Sequence, residues 1–322
     1  MKLLVTGATG FLGSTLVPLL LEQGHSVRAL QRGEVLIPGA EVLKGDVRDE
    51  VSVRKALRGI EGVYHLAGLV SRDSRDARKM YQLHVDGTRL LLSEAERAGV
   101  QRVVLASSSG TIGVSRTRRV AVETDDYPIE TVGRWPYYLS KIYEEKIAIG
   151  FTPRLPIVIL NPSLLLGPGD SRLSSTQDIF RFLHGRIPAI PRGGLSFVDV
   201  RDAAAAFVAA LLKGKIGERH FLGGANWEFD DFFARLSRIA HQPQPRLGAL
   251  PASLQVAGAH LIERIARERG REPDLPASDV EMGQCWFFID SSKAERLLGF
   301  RARDPLETLS ETVRYLRERF IA

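Results

Sequence analysis

Met1-Lys2-Leu3-Leu4-Val5-Thr6-Gly7-Ala8-Thr9-Gly10-Phe11-Leu12-Gly13-Ser14-Thr15 is the stretch from which the fold is read. Leu3 to Val5 has the length and composition of a buried parallel strand, three glycines follow, and an apolar helical pattern runs from Phe11 to Leu21. Strand, glycine turn and helix in that order predict a phosphate cradle: Gly7 for the tight turn, Gly10 for an open backbone under a pyrophosphate, Gly13 for close approach of helix to strand. Thr9, Phe11 and Leu12 fall within the turn and the first helical residues, whose free amides and positive dipole end would face the phosphates. A glycine-rich turn with no ligand is the competing reading.

Outward from that turn, composition sets limits. The chain has 322 residues, of which 44% are hydrophobic and 25% charged, ordinary values for a globular protein. Its net charge is +6, but the basic residues form short scattered groups such as Arg116-Arg118-Arg119 and Arg264-Arg267-Arg269-Arg271. No basic stripe interleaved with aromatics appears, so nucleic acid is not an expected partner. The one cysteine, Cys285, excludes an internal disulfide and a cysteine metal cluster, and no metal is expected. No apolar run reaches the ~18 residues of a membrane span. The strand beginning at the second residue leaves no room for a basic leader, and a cytoplasmic location is the expectation.

Ser26 to Arg32 reads as a second strand. An acidic residue at its end would hold the ribose hydroxyls of NAD, whereas Gln31 and Arg32 stand there, which favours NADP and leaves NAD possible. A third strand from Glu41 places Asp46 at the edge where ligands collect, within reach of an adenine, and Asp49 caps the helix through Leu57. The fourth strand, Gly62 to Gly68, ends in small residues, Leu66-Ala67-Gly68, that let a ribose approach the backbone. His65 is read as packed rather than catalytic. A helical pattern covers Met80 to Ala98, closed by Gly99, and Arg102 to Ala106 is a fifth strand delivering Ser107, Ser108 and Ser109 to the same edge. Tyr137 and Lys141 then share one face of a helix reaching Ile149, so the ammonium is expected to lower the phenol's proton affinity and make it an acid for a carbonyl oxygen. Tyr138 has Ile142 in the corresponding place and cannot do this.

In this order the motifs resemble the extended short-chain dehydrogenase/reductase superfamily, the NAD-dependent epimerase/dehydratase family. The likeness is carried by Thr6 to Gly13, Gly45-Asp46-Val47, His65-Leu66-Ala67-Gly68, the serine run, Tyr137 with Lys141, Asn161 to Gly169, Phe197 to Ala204 and Phe288 to Ala294. Within it the chain looks nearest to the branch of dihydroflavonol reductases, 3β-hydroxysteroid dehydrogenases and hopanoid-associated sugar epimerases, through Asn161-Pro162-Ser163 and Leu222 to Asn226. The resemblance implies an α/β Rossmann fold, a doubly wound parallel sheet with a smaller, discontinuous C-terminal substrate lobe. The dinucleotide-binding part would be 1–166 with 196–223 returning to it, and the substrate lobe 167–195 and 224–322. It further implies Ser108, Tyr137 and Lys141 as the catalytic trio, with Ser109 second to Ser108. The cofactor would lie on Gly7, Thr9, Gly10, Phe11, Leu12, Gly13, Arg32, Asp46, Val47, Leu66, Ala67, Gly68, Tyr137, Lys141, Pro162 and Ser163, the last two near the nicotinamide.

Members acting on nucleotide sugars usually carry Arg where this chain has Asn161, and the acidic pair of sugar dehydratases is replaced by Ser109-Gly110. The expected activity is therefore reduction of a ketone or aldehyde, or oxidation of the alcohol, on a mostly apolar small molecule. A nucleotide-sugar epimerase and a non-catalytic NADP-sensing protein are the alternatives. A homodimer through 80–98 and 137–149 is expected from the family likeness. On the substrate side, Leu247 to Ile265 is expected to be a lobe helix packing its apolar side inward, while Trp227, Phe229, Phe232 and Phe233 are read either as pocket wall or as core. The strand end at Gln31-Arg32 predicts higher kcat/KM with NADPH than with NADH; a preference for NADH of about tenfold overturns that assignment.

Overall fold

The computed structural model describes residues 1–245, 252–268 and 276–321. Among them run strands β1 (Lys2–Thr6), β2 (Ser26–Gln31), β3 (Glu41–Lys44), β4 (Gly62–His65), β5 (Arg102–Ala106), β6 (Val120–Ala121), β7 (Ile157–Pro162), β8 (Leu164–Leu166), β9 (Gly194–Asp199), β10 (Arg219–Leu222), β11 (Ala225–Glu228) and β12 (Phe288–Ile289). Seven form one sheet in the order β10-β7-β5-β4-β1-β2-β3. Every neighbouring pair in it is parallel.

That topology follows from strands that are apolar on both faces. Leu3, Val5, Val104, Val158 and Leu160 point to one side and join helices Phe11–Glu22 and Val200–Lys213 in a single apolar cluster. Leu4, Val63, Val103, Leu105, Ile157 and Ile159 point to the other, against helices Glu50–Leu57, Thr88–Arg97 and Pro136–Phe151. The two-residue alternation of a strand thus feeds two cores at once. Because all seven strands are parallel, their C-terminal ends lie along one edge, and the strand order reverses between β1 and β4. The crevice of a doubly wound sheet opens at that point.

The glycine turn holds this edge together. Gly7 has φ +74°, and a Cβ there would lie 2.6 Å from the carbonyl carbon and oxygen of Leu66. A Cβ on Gly13 would lie 2.2 Å from the Gly7 carbonyl oxygen. Beyond the sheet, β8, β9 and β11 make a smaller mixed sheet, and β6 pairs with β12. Phe232 and Phe233 are buried there with Phe197, Leu309 and Leu316 and are core, while Trp227 and Phe229 are half-buried against the cluster.

Two expectations change. The helical run after β4 is not regular: Ala77–Tyr81 and Thr88–Arg97 flank a π-helical turn, Gln82–Gly87. The lobe helix is Ala252–Glu268, its expected start at 247–251 lying outside the described residues, and it does not turn its apolar side inward. Leu254, Leu261 and Ile262 are exposed, because the side seated on helix Ala277–Met282 carries polar contacts. Gln284 donates to Gln255, His260 meets Glu281, and the Ala277 amide donates to Glu263. Gly13→Ala should destabilise the protein by more than about 2 kcal/mol, because backbone has to move. Urea unfolding measures this, and a loss below about 0.5 kcal/mol would contradict the packing described.

Candidate active site

The N-terminal end of helix Phe11–Glu22 is capped by Gly10 without any side-chain hydrogen bond, and its first turn contains no acidic residue. Its first amides therefore have no partner within the helix and no competing carboxylate. A Cβ on Gly10 would meet only the Gly7 carbonyl oxygen, at 3.2 Å, and otherwise face open space. Backbone, dipole and space all fit a pyrophosphate. Thr9 stands in the turn itself, Phe11 and Leu12 are buried at the start of the helix, and Val47 is buried against Gly87.

Arg32 is exposed at the end of β2, while Gln31 turns back to donate to the carbonyls of Gly33 and Val35. Asp46, expected to reach an adenine, receives the Arg48 guanidinium at 2.6 and 3.0 Å and the Arg48 amide at 2.9 Å. Those bonds hold its carboxyl below the usual range, with the Arg32 charge adding to the effect. Arg48 is thus part of this rim and went unmarked in the sequence reading, since the turn that brings it back onto Asp46 is formed only by the folded loop.

Deeper in the crevice, Leu66, Ala67 and Gly68 follow β4, and a Cβ on Gly68 would lie 3.3 Å from His84 Nε2 and 3.8 Å from Lys141 Nζ. Pro162 and Ser163 end β7, with Ser163 buried and its hydroxyl unpartnered. Pro136 opens the helix that carries Tyr137 and Lys141, after the buried Trp135. The structure brings Ser108 near enough to Tyr137 to draw its phenol down, and Ser108 is kept in place by Asn161, whose amide donates to the Ser108 carbonyl at 3.1 Å. Ser109 is buried behind it.

The electrostatics differ from the expectation. Lys141 donates to the Ala106 carbonyl at 2.9 Å and to Glu144 at 2.6 Å, both side chains buried. Its charge is spent on that carboxylate. Burial, followed by the Glu144 charge, pushes the Tyr137 phenol up to about 12, and only Ser108 pulls it down. The ammonium expected to lower the phenol is thus paired with Glu144.

Buried polar groups surround the trio. His84, in the π turn, accepts from the Leu69 amide at 3.0 Å through Nε2 and meets Ser140 through Nδ1 at 2.8 Å. His65 bridges Thr6 and Thr88, at 2.7 and 2.8 Å, which supports its reading as a packed residue. Glu145 accepts from Ser107, Thr111, Asn161 and Tyr127 and pairs with Arg219. Sequence reasoning passed over Glu144 and Glu145; the available signal was two consecutive acids three and four residues after Lys141 on the same helix. Across the mouth, Arg72 binds Asp178 at 2.8 Å and Asp279 at 3.2 Å, which ties the segment after β4 to the smaller lobe. Trp135, Tyr138, Met282 and Phe287 form an apolar cluster on the same side.

The family model described as NAD dependent epimerase/dehydratase family matches residues 3–223. Sterol demethylase protein B of Methylococcus capsulatus is 33% identical over 99% of this chain and 99% of its own length. A 4-hydroxy-2-methyl-3-oxo-4-farnesyl-3,4-dihydroquinoline-1-oxide ketoreductase of Stigmatella aurantiaca is 27% identical over 94% of this chain and 92% of its own. The crystal structure of gox2253 superposes with a TM-score of 0.85 and 32% identity, covering 99% and 98% of the two chains.

Burial holds His65 neutral down to about 3 and His220 down to about 4, and lowers His84 well below its ordinary value. In the unfolded chain each binds a proton near pH ~6.5 that the folded protein refuses. Their contribution to stability is therefore complete above pH ~6.5 and drains away as pH falls toward ~4. The thermal midpoint should decline steadily over that window, and less steeply in His220→Leu; a flat profile in the wild type contradicts the assignment.

Proposed function

The chain belongs to the NAD dependent epimerase/dehydratase family, and from that membership we propose that it is an NADPH-using oxidoreductase reducing a ketone or aldehyde on a mostly apolar small molecule. The observation that carries this reading is the placement of Ser108, Tyr137 and Lys141 at the sheet's C-terminal edge, where Lys141 reaches the Ala106 carbonyl at 2.9 Å and Ser108 draws the Tyr137 phenol down, beside the apolar cluster of Trp135, Tyr138, Met282 and Phe287. Gly7 to Gly13 would hold a nicotinamide dinucleotide, which when bound would supply the hydride for the carbonyl carbon. Ser108 holds the carbonyl oxygen, Tyr137 delivers the proton, and Lys141 lies beneath both, within reach of a ribose at Gly68. Arg32 and Arg48 at the rim suit the extra phosphate of NADP.

Two relatives that span nearly the whole chain support an apolar substrate: one is named for a sterol and one for a farnesylated ring. Asn161, where an arginine would serve a nucleotide sugar, is turned inward onto Glu145, Thr111 and Ser108. A homodimer through Ala77–Arg97 and Pro136–Phe151 is part of the proposal, because Tyr81 and Tyr143 stack edge-on at 5.9 Å on that face while staying exposed. The single buried cysteine fits a reducing cytoplasmic setting.

The deciding experiment is a screen of apolar carbonyl compounds for stoichiometric NADPH consumption, followed by Tyr137→Phe. The expected outcome is loss of turnover by at least ~100-fold, the share of a general acid, with NADPH affinity within about threefold. Near-normal turnover in Tyr137→Phe removes the assigned role. Interconversion of sugar nucleotides without net NADPH consumption makes the protein an epimerase instead.

A further inference from the structure

We propose that Glu144 is a positioning residue for Tyr137: as a carboxylate it neutralises the Lys141 ammonium and withholds that charge from the phenol, and on taking up a proton it releases it. This deepens the reading of Tyr137 as the acid and rests on it. The geometry carries it. Lys141 Nζ lies 2.6 Å from Glu144 Oε2, both side chains are buried, and three residues along one helix keep them on the same face.

Among the groups around it, Glu144 is the carboxylate with the fewer partners, Lys141 and Thr88. On its own helix stand Tyr137, Lys141 and Glu145; from the preceding helical run come His84 and Thr88, from β4 His65, and from β5 only the Ala106 carbonyl. Both histidines are held neutral by burial and the Lys141 charge. Glu145 already has Arg219 and donors from Ser107, Thr111, Asn161 and Tyr127. Glu144 has one ammonium and one hydroxyl, and burial outweighs them, pushing its carboxyl up to about 7.

Thr88 points the same way. Its hydroxyl donates to Glu144 Oε1 at 3.1 Å, so it accepts from His65 Nε2–H; His65 Nδ1 then accepts from Thr6, whose hydroxyl oxygen takes the Ala67 amide. That directed series supports an ionised Glu144 at Oε1 and leaves Oε2, the oxygen on Lys141, as the place for an arriving proton. Protonation there breaks the ion pair without disturbing the series.

The test needs neither substrate nor cofactor. Tyrosinate absorbance is titrated in the protein and in its Tyr137→Phe variant, and the difference isolates Tyr137. The same difference is taken in a Glu144→Gln background, where the side-chain carbonyl keeps the bond to Lys141 and the negative charge is gone. The Tyr137 midpoint should fall by at least about one pH unit, toward the ordinary ~10. Glu144→Asp, which keeps the charge, should leave it within about 0.3 unit of wild type. An unchanged midpoint in Glu144→Gln overturns the proposal. Should Glu144→Gln fail to fold, carboxyl 13C NMR of the wild type decides: the resonance displaced in Glu144→Asp has to titrate near 7, and a midpoint near ~4.3 overturns the proposal. A shifted Tyr137 in a protein that reduces no carbonyl retains this electrostatic coupling and refutes only the proposed activity.

Discussion

A buried ammonium must be surrounded, and much of this crevice is arranged around that requirement. Lys141 has three N–H donors: one goes to the Ala106 carbonyl, one to Glu144, and the third is left for the space above Gly68. A charge removed from water is tolerated only when it is paired, and here the pair is a carboxylate that is itself fully buried. Glu144 in turn needs Thr88, Thr88 needs His65, and His65 needs Thr6 beside the glycine turn. The two ends of the dinucleotide crevice are therefore joined by one run of buried polar contacts.

The sheet makes such a run possible. Parallel strands bring the residues after β1, β4, β5 and β7 to one edge, although they are scattered between Thr6 and Ser163 in the chain. The π turn at Gln82–Gly87 adds what a regular helix would not, a His84 aimed between Ser140 and the Leu69 amide. The smaller lobe is then fastened over this edge by Arg72, which pairs with Asp178 and Asp279, while Arg181 ties Asp279 to the helix Gln177–Leu183 within the lobe. Arg303 with Asp202 and Arg201 with Asp199 and Glu311 do the same for the C-terminal helix Pro305–Phe320. Phe232 and Phe233, ambiguous as a pattern, serve the lobe's own core.

Local order was legible from the chain alone: the strand-turn-helix at Leu3 to Leu21, the alternation of strand and helix to Pro162, the cap at Asp49, and the shared face of Tyr137 and Lys141. Each is fixed by interactions between near neighbours, by backbone geometry at glycine, or by a periodicity of two or 3.6. Tertiary structure decided the rest. Asp46 paired with Arg48, the helix Ala252–Glu268 placed Leu254 and Ile262 outward, and Lys141 paired with Glu144. The strength of that last pair depends on burial and on Thr88, 56 residues away in sequence. Spacing along a chain specifies which side chains can meet, but the desolvation that sets how their charges are shared exists only once distant segments have closed over them.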